Sequence, residues 1–431
     1  MKKKGLADRI GPTSAVEYYR GLIAMTIRRR QTTARGFTVG VLTRLLLFWA
    51  CVMSAGGTAN DSRQAAKSTF ADEKISALLK TMTIREKIGQ MLAIVPEDLD
   101  PTLMRKRDDS EKRPASTEFT REMKETFRLY PAGTVVLFTG NIDTPEQTKK
   151  LIADLKEAAR IPLMVSVDEE GGRIARVAQN VNFGIENLPP ALETKSGEAA
   201  CQNSARIGTY LSNLGFNADF APVADIWTNK ENTVIGNRAF ATEAETAAEM
   251  VRESVRGFHK AGILTSLKHF PGHGDTVADT HMESAVSGKT WEEMKSCEMI
   301  PFKAGIKAGA DMVMIAHIRT PNAGAGNLPA TLSKTWITDR LRGTLGFDGV
   351  IITDAMGMNA ISKHFESAEA ALMAINAGCD IVLMPDDCIK VFDYLVSCVE
   401  EGTLAVERVD RSVRRILRMK LQPAFQPGRG D

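Results

Sequence analysis

The sequence predicts an α/β protein built as a single (β/α)8 TIM barrel, and three observations carry that prediction. Three segments, HKAGILTSLKH (259 to 269), IKAGADMVMIAH (306 to 317) and INAGCDIVLMP (375 to 385), share one order: a helical stretch ends in Ala-Gly and a short apolar run follows at once. Gly262, Gly309 and Gly378 fit the left-handed position that stops a helix, and the runs after them read as buried parallel strands. Five more apolar runs, at 88 to 95, 133 to 138, 162 to 167, 216 to 223 and 349 to 353, raise the strand candidates to eight. Helical stretches such as TPEQTKKLIADLKEAA separate most of them, and a doubly wound sheet would use fewer strands.

Taken from the N-terminus, the first feature is an export signal. From Met25 the chain runs through a basic stretch, an apolar run from Leu45 to Met53 and then small residues, which is the order of a secretory signal. The run is too short to span a bilayer. Extending it back to Phe37 encloses Arg44, at a cost on the order of a few kcal/mol at mid-membrane. Residues 1 to 24 hold no apolar run and precede a second Met, so translation is expected to begin at Met25. Cys51 after Ala50 offers a lipidation site and with it membrane attachment, although Phe48 and Trp49 are bulky for such a site. The expected location is outside the cytoplasmic membrane, in the periplasm or cell envelope, and the alternative is a cytoplasmic protein with a frayed amphipathic N-terminus. Residues 1–70 are thus assigned to export signal and linker, and 71–431 to the catalytic domain, with the barrel itself at about 72 to 422 and a closing helix in RVDRSVRRILRMK. The charged stretch RKRDDSEKR (105 to 113) reads as a solvated insertion after the first strand.

Composition removes several classes of function. Hydrophobic residues at 43% and charged residues at 25% describe a globular chain with a large core. The net charge of +2 leaves no basic excess for a phosphate backbone, so no nucleic-acid partner is expected. The six cysteines show neither CxxC nor zinc-finger spacing.

In such a barrel the active site lies at the C-terminal ends of the strands. The residues that follow the apolar runs are Asp168-Glu169-Glu170, Asp225, Lys268-His269, His317, Asp354 and Pro385-Asp386, a convergence of ionisable groups that points to a polar pocket. The densest stretch, KHFPGHGDTVADTH (268 to 281), holds three of the six histidines, and its Pro and Gly residues predict a loop over the barrel mouth. Asp279 and His281 are two apart, close enough for the carboxylate to orient the imidazole and raise its basicity. A metal site made of His269, His273, Asp275 and His281 is the competing reading. That spacing matches no HExxH-type motif, and neither metal nor cofactor is expected.

These segments closely resemble the glycoside hydrolase family 3 β-N-acetylglucosaminidases, single-domain enzymes of bacterial peptidoglycan turnover. The resemblance spans about residues 75 to 420 and rests on EKIGQML, VDEEGGRIARV, FNADFAPVADI, VIGNRAF, KHFPGHGDTVADTH, PATLS, LRGTLGFDGVIITDAMGM and AGCDIVLMP. It implies a retaining exo-acting enzyme that removes terminal GlcNAc from GlcNAc-containing glycans or muropeptides through a covalent glycosyl-aspartate. Residue by residue it implies Asp354 as nucleophile, His281 as acid/base and Asp279 as its partner. Asp168, Arg176, Arg238, Lys268 and His269 match positions that bind sugar hydroxyls. The chain departs from the family pattern at Ala355, where a second Asp is frequent, and at Thr280, where Ser is usual. Three alternatives stay open: a chitooligosaccharide-directed hexosaminidase of the same family, a metal-dependent amidohydrolase-like barrel and a catalytically silent sugar-binding protein.

Overall fold

The structure, a computed structural model, describes residues 72–104, 114–276 and 285–422. The export segment with Cys51, the charged stretch 105 to 113, and Asp279 and His281 lie outside the described residues.

Helix α1 (Ile84–Gln90) starts at a capping box in which the Thr83 hydroxyl and the Glu86 carboxylate satisfy each other's backbone N–H groups. That start corrects the first predicted strand. Residues 88 to 90 close this helix, and strand β1 is only Leu92–Ile94. After β1 the chain alternates as expected: α2 (Arg121–Leu129), β2 (Thr134–Val136), α3 (Pro145–Ala158) and β3 (Met164–Val167). A short hairpin, β4 (Glu169–Gly171) with β5 (Ile174–Ala175), then stands at the strand end, turning through Gly171 and Gly172 at φ 85° and 56°. The alternation resumes with α4 (Gly197–Leu214), β6 (Ala218–Asp219), α5 (Ala244–Lys260), β7 (Leu264–Phe270), α6 (Met299–Lys307) and β8 (Met312–Ile315). A π-helix (Thr335–Thr344) leads to β9 (Val350–Thr353), and α7 (Ser367–Ala377), β10 (Val382–Leu383), α8 (Cys388–Glu400) and α9 (Val406–Lys420) follow.

Eight of these strands form one parallel sheet in the order β10-β1-β2-β3-β6-β7-β8-β9. The remaining seam closes through a parallel bridge between Ile352 and Ile381, with Thr353 N donating to Ile381 O at 3.0 Å. The result is a nearly closed eight-stranded barrel with a helix after each strand. Gly262, Gly309 and Gly378 end their helices at φ 73°, 95° and 126°, as the repeated Ala-Gly pattern implies. Strand β7 carries Lys268, His269 and Phe270, so the loop expected from 268 begins only at Pro271. The strand predicted at 216 to 223 narrows to Ala218–Asp219, and just before it the Asn217 side chain accepts from Val165 N and donates to Leu163 O.

At the opposite end of the barrel α9 buries Val409, Val413, Ile416 and Leu417. Each buried aliphatic side chain of this kind contributes roughly 1.5–3 kcal/mol. Asp380, fully buried, accepts from Ile351 N at 3.0 Å and pairs with Arg342 at 2.5 Å and Arg415 at 3.5 Å, which fastens that end of the barrel to the closing helix. Lys420 at the tip of α9 is also fully buried, and its ammonium donates to Gln90 Oε1 at 2.8 Å and Gly133 O at 2.5 Å.

Burial pushes the Lys420 ammonium down to about 7 from an ordinary 10.5. Between those values the unfolded chain keeps a proton that the folded chain has shed, so this group makes stability rise with pH across the window. Lys420→Met is expected to keep the fold and to flatten that rise, read as denaturant midpoints at about pH 7 and about pH 9.5. An unchanged pH slope in the variant would contradict it.

Candidate active site

The ends of β3 and β7 meet across β6 through one ammonium. Lys268 Nζ lies 2.6 Å from Asp168 Oδ1 and 2.6 Å from Glu170 Oε1. Arg238 completes a fork on the same glutamate, Nε at 2.8 Å from Oε2 and Nη2 at 2.7 Å from Oε1. Its Nη2 is also 3.3 Å from His269 Nε2, and His269 Nδ1 is 2.6 Å from Asp225 Oδ2. Asp225 further accepts the backbone N–H groups of His269 and His273 at 3.1 and 2.7 Å. Asp168, Lys268, Arg238 and His269, four of the residues assigned to sugar binding, therefore belong to one hydrogen-bonded chain.

Glu170, Lys268 and Asp225 each keep their charge for a physical reason. Burial alone would raise the pKa of Glu170, but Arg238 and Lys268 outweigh it and hold the carboxyl far below the usual range. Burial would likewise lower Lys268, yet Asp168 and Glu170 leave its pKa raised. Asp225, buried completely, stays low because burial is outweighed by His269 and His273. Of the network's side chains, that of Asp168 is 20% exposed against 2% for Lys268 and 5% for Glu170, so its carboxylate is the member most open to a ligand.

Alternation along an extended chain explains which carboxylates arrive here. Residues 168 and 170 point to one side and 169 to the other. Glu169 is fully buried on the far side, accepting from Val177 N at 2.8 Å, Ala178 N at 2.9 Å and the Tyr210 hydroxyl of α4 at 2.7 Å. Neither glutamate is thus a free proton donor: one is wrapped in donors behind the sheet, the other clamped by two cations. Residue type and position mark Glu169 and Glu170 alike as strand-end charges and as the carboxylates to examine for a proton donor should His281 not serve; reading the period of two through Asp168-Glu169-Glu170 separates the pair.

The loop after β7 is held tightly as far as Thr276. The His273 ring meets the Thr276 hydroxyl at 2.8 Å, and Asn232 Nδ2 donates to His273 O and Thr276 O at 2.7 and 2.8 Å. A Cβ on Gly274 would collide with the carbonyl of Ile226, so only glycine lets the loop lie this close to the preceding segment. Asp275 bonds Ser287 Oγ at 3.1 Å, Thr228 Oγ1 at 3.2 Å and Lys289 Nζ at 3.2 Å. Asp275 is therefore engaged in joining two segments, and His269 Nδ1 is engaged by Asp225; among the described residues no group of three or more His, Cys, Asp or Glu side chains is placed to hold a metal ion. His281 and Asp279 lie outside the described residues.

Asp354 follows β9 directly, its N–H donating to Ile315 O at 2.8 Å and its Oδ1 accepting from Ala355 N at 2.8 Å. Its charge reaches His273, whose pKa falls first through burial and then through His269 while Asp354 opposes the fall. Arg176 stands apart from the ion chain, with its guanidinium 5.7 Å over the Phe138 ring and its buried Nε without a hydrogen-bond partner among the described residues. His317, counted among the strand-end groups, does not line the mouth: it is fully buried, between the Thr331 hydroxyl at 2.7 Å and Ala355 O at 2.9 Å.

Residues 83–419 match the model of the glycosyl hydrolase family 3 N-terminal domain. A β-hexosaminidase of Stenotrophomonas maltophilia is 37% identical over 280 residues, covering 63% of this chain and 81% of its own. One from Xylella fastidiosa is 39% identical over 259 residues, 58% of this chain and 75% of its own. Among solved structures, a family 3 β-N-acetylglucosaminidase from Paenibacillus sp. str. FPU-7 superposes with a TM-score of 0.71 at 35% identity, over 79% of this chain. This chain spans 62% of that protein's length. An ionic pocket at the strand ends of the barrel and a family match across most of the folded chain lead to one conclusion: the protein belongs to glycosyl hydrolase family 3 and is a glycoside hydrolase.

Proposed function

We propose that the protein is a retaining exo-β-N-acetylglucosaminidase that releases terminal GlcNAc from peptidoglycan fragments. The observation that carries the reading is the joined chain Asp168–Lys268–Glu170–Arg238–His269 at the barrel mouth, in a chain whose relatives are named β-hexosaminidases. Fixed carboxylate and cation groups of this kind grip sugar hydroxyls with charge-assisted hydrogen bonds and hold one ring orientation. On this reading a carboxylate oxygen of Asp354 attacks the anomeric carbon while the bond to the leaving oxygen breaks. His281 gives that oxygen its proton, with Asp279 orienting the imidazole. Water then attacks the glycosyl-aspartate, gives its proton to His281, and frees the sugar and the Asp354 carboxylate. The Ala355 N–H on Asp354 Oδ1 supports a defined direction of attack.

Location outside the cytoplasmic membrane is part of the same proposal and rests on the basic, apolar, small order of residues 25 to 57. Mass spectrometry of the native protein is expected to find that segment removed or lipidated; a mature chain that retains residues 26 to 55 would sink the export reading.

The substrate test compares p-nitrophenyl β-GlcNAc with the β-glucoside, and the reading requires strong preference for the first. Release of GlcNAc from chitobiose but not from muropeptides would instead favour a chitooligosaccharide-directed enzyme. Asp354→Ala is expected to stay folded and lose turnover. His281→Ala should suffer most on substrates with poor leaving groups and recover in part with azide, which needs no general base. A uniform loss across leaving groups would leave His281 only a binding role.

Glu170→Gln removes the one carboxylate shared by Lys268 and Arg238. Breaking a buried pair from one side costs about 3–5 kcal/mol, so the melting temperature is expected to fall. KM should rise by about tenfold as the sugar-binding groups lose their alignment. A variant with wild-type KM would detach this network from substrate binding.

A further inference from the structure

We infer that His317 is a positioning residue for Asp354, acting through the peptide that joins Ala355 to its neighbours; this rests on the reading of Asp354 as nucleophile. His317 is fully buried, as is Thr331, so the imidazole itself touches no sugar. Its Nε2 lies 2.9 Å from Ala355 O. A carbonyl only accepts, so Nε2 carries a proton and donates it. On the other edge of the ring, Nδ1 meets the Thr331 hydroxyl at 2.7 Å, and that hydroxyl is itself 2.8 Å from Ala316 O, on the strand-end segment that carries His317.

The same Ala355 residue holds the nucleophile from its other end. Its N–H donates to Asp354 Oδ1 at 2.8 Å, while its carbonyl also accepts from Met358 N at 3.1 Å. The path is short and continuous: Thr331 fixes the ring, the ring fixes the Ala355 carbonyl, and the Ala355 N–H fixes one oxygen of Asp354. The turn is braced beyond this point by Met356 N on Leu383 O at 2.8 Å and Gly357 N on Met384 O at 3.1 Å. These bonds define the turn as a whole, whereas His317 reaches the residue whose N–H touches the reacting carboxylate. A nucleophile must approach the anomeric carbon along one line, and loss of such alignment lowers the rate without a matching loss of ground-state binding.

The test uses whichever aryl β-glycoside the full-length wild type hydrolyses fastest, with the corresponding free sugar as competitive inhibitor. Wild type, His317→Leu, His317→Gln, Thr331→Val and Asp354→Ala are compared for kcat/KM, inhibition constant and melting temperature. His317→Leu is expected to lower kcat/KM by about 10- to 100-fold with the inhibition constant within about twofold of wild type. His317→Gln, whose amide N–H can reach the Ala355 carbonyl, should recover most of that loss. A leucine variant as active as wild type overturns the inference, as does a glutamine variant no better than leucine or an inhibition constant that worsens in step with the rate. If His317→Leu does not fold, Thr331→Val decides. A fall of about threefold or more at unchanged inhibition supports the role, and wild-type kcat/KM overturns it. Asp354→Ala separates the two levels: retained turnover there removes the nucleophile assignment itself, whereas an inactive Asp354→Ala beside a fully active His317→Leu removes only the part given to His317.

Discussion

A single ammonium buried at the barrel mouth constrains much of what surrounds it. Lys268 is 2% exposed, and an ammonium at that depth is tolerable only with carboxylates in contact. Asp168 and Glu170 supply them, both at 2.6 Å. Two carboxylates on one cation would leave an excess negative charge, and Arg238 on Glu170 offsets it. Arg238 then borders His269, which Asp225 orients through Nδ1. Each group is tolerable at its depth because of the next one.

This requirement reaches into the local fold. For Glu170 to return to the side of Asp168, the chain beyond β3 must stay extended for two residues and then reverse, which the β4–β5 hairpin does through Gly171 and Gly172. The same extension sends Glu169 to the opposite side, where Val177, Ala178 and Tyr210 supply donors. Burial leaves the pKa of Glu169 raised in spite of them, so the hairpin is built around one glutamate with a raised pKa and one with a strongly lowered one. Three successive acidic residues thus meet three different sets of partners within one extended stretch.

The far end of the barrel follows the same logic with different parts. Asp380 collects Arg342 and Arg415, while Lys420 is buried against neutral acceptors alone. An ammonium with carboxylate partners keeps its proton; one facing an amide and a carbonyl is drawn towards neutrality. The site end therefore gains fixed charge, and the closing helix gains a contact that depends on pH.

How much of this was legible in the chain depends on whether the signal is local. The repeated Ala-Gly endings determine three helix stops and the strands after them, because a left-handed residue and a buried apolar run are properties of adjacent residues. Strand-end position identifies Asp168, Lys268, His269 and Asp354 for the same reason, and motif similarity adds Arg238 and Arg176. The capping box at Thr83 and Glu86 was equally local, and it turns the front of the first apolar run into helix. Tertiary structure alone decided the pairings. Glu170 becomes the partner of Arg238, 68 residues away, and His317 is turned from the mouth onto a peptide 38 residues away, because only barrel closure brings those strand ends together. Residue type and spacing determine which groups are available at each strand end; the distances between strands, set by packing around the barrel, decide which group neutralises, orients or displaces which.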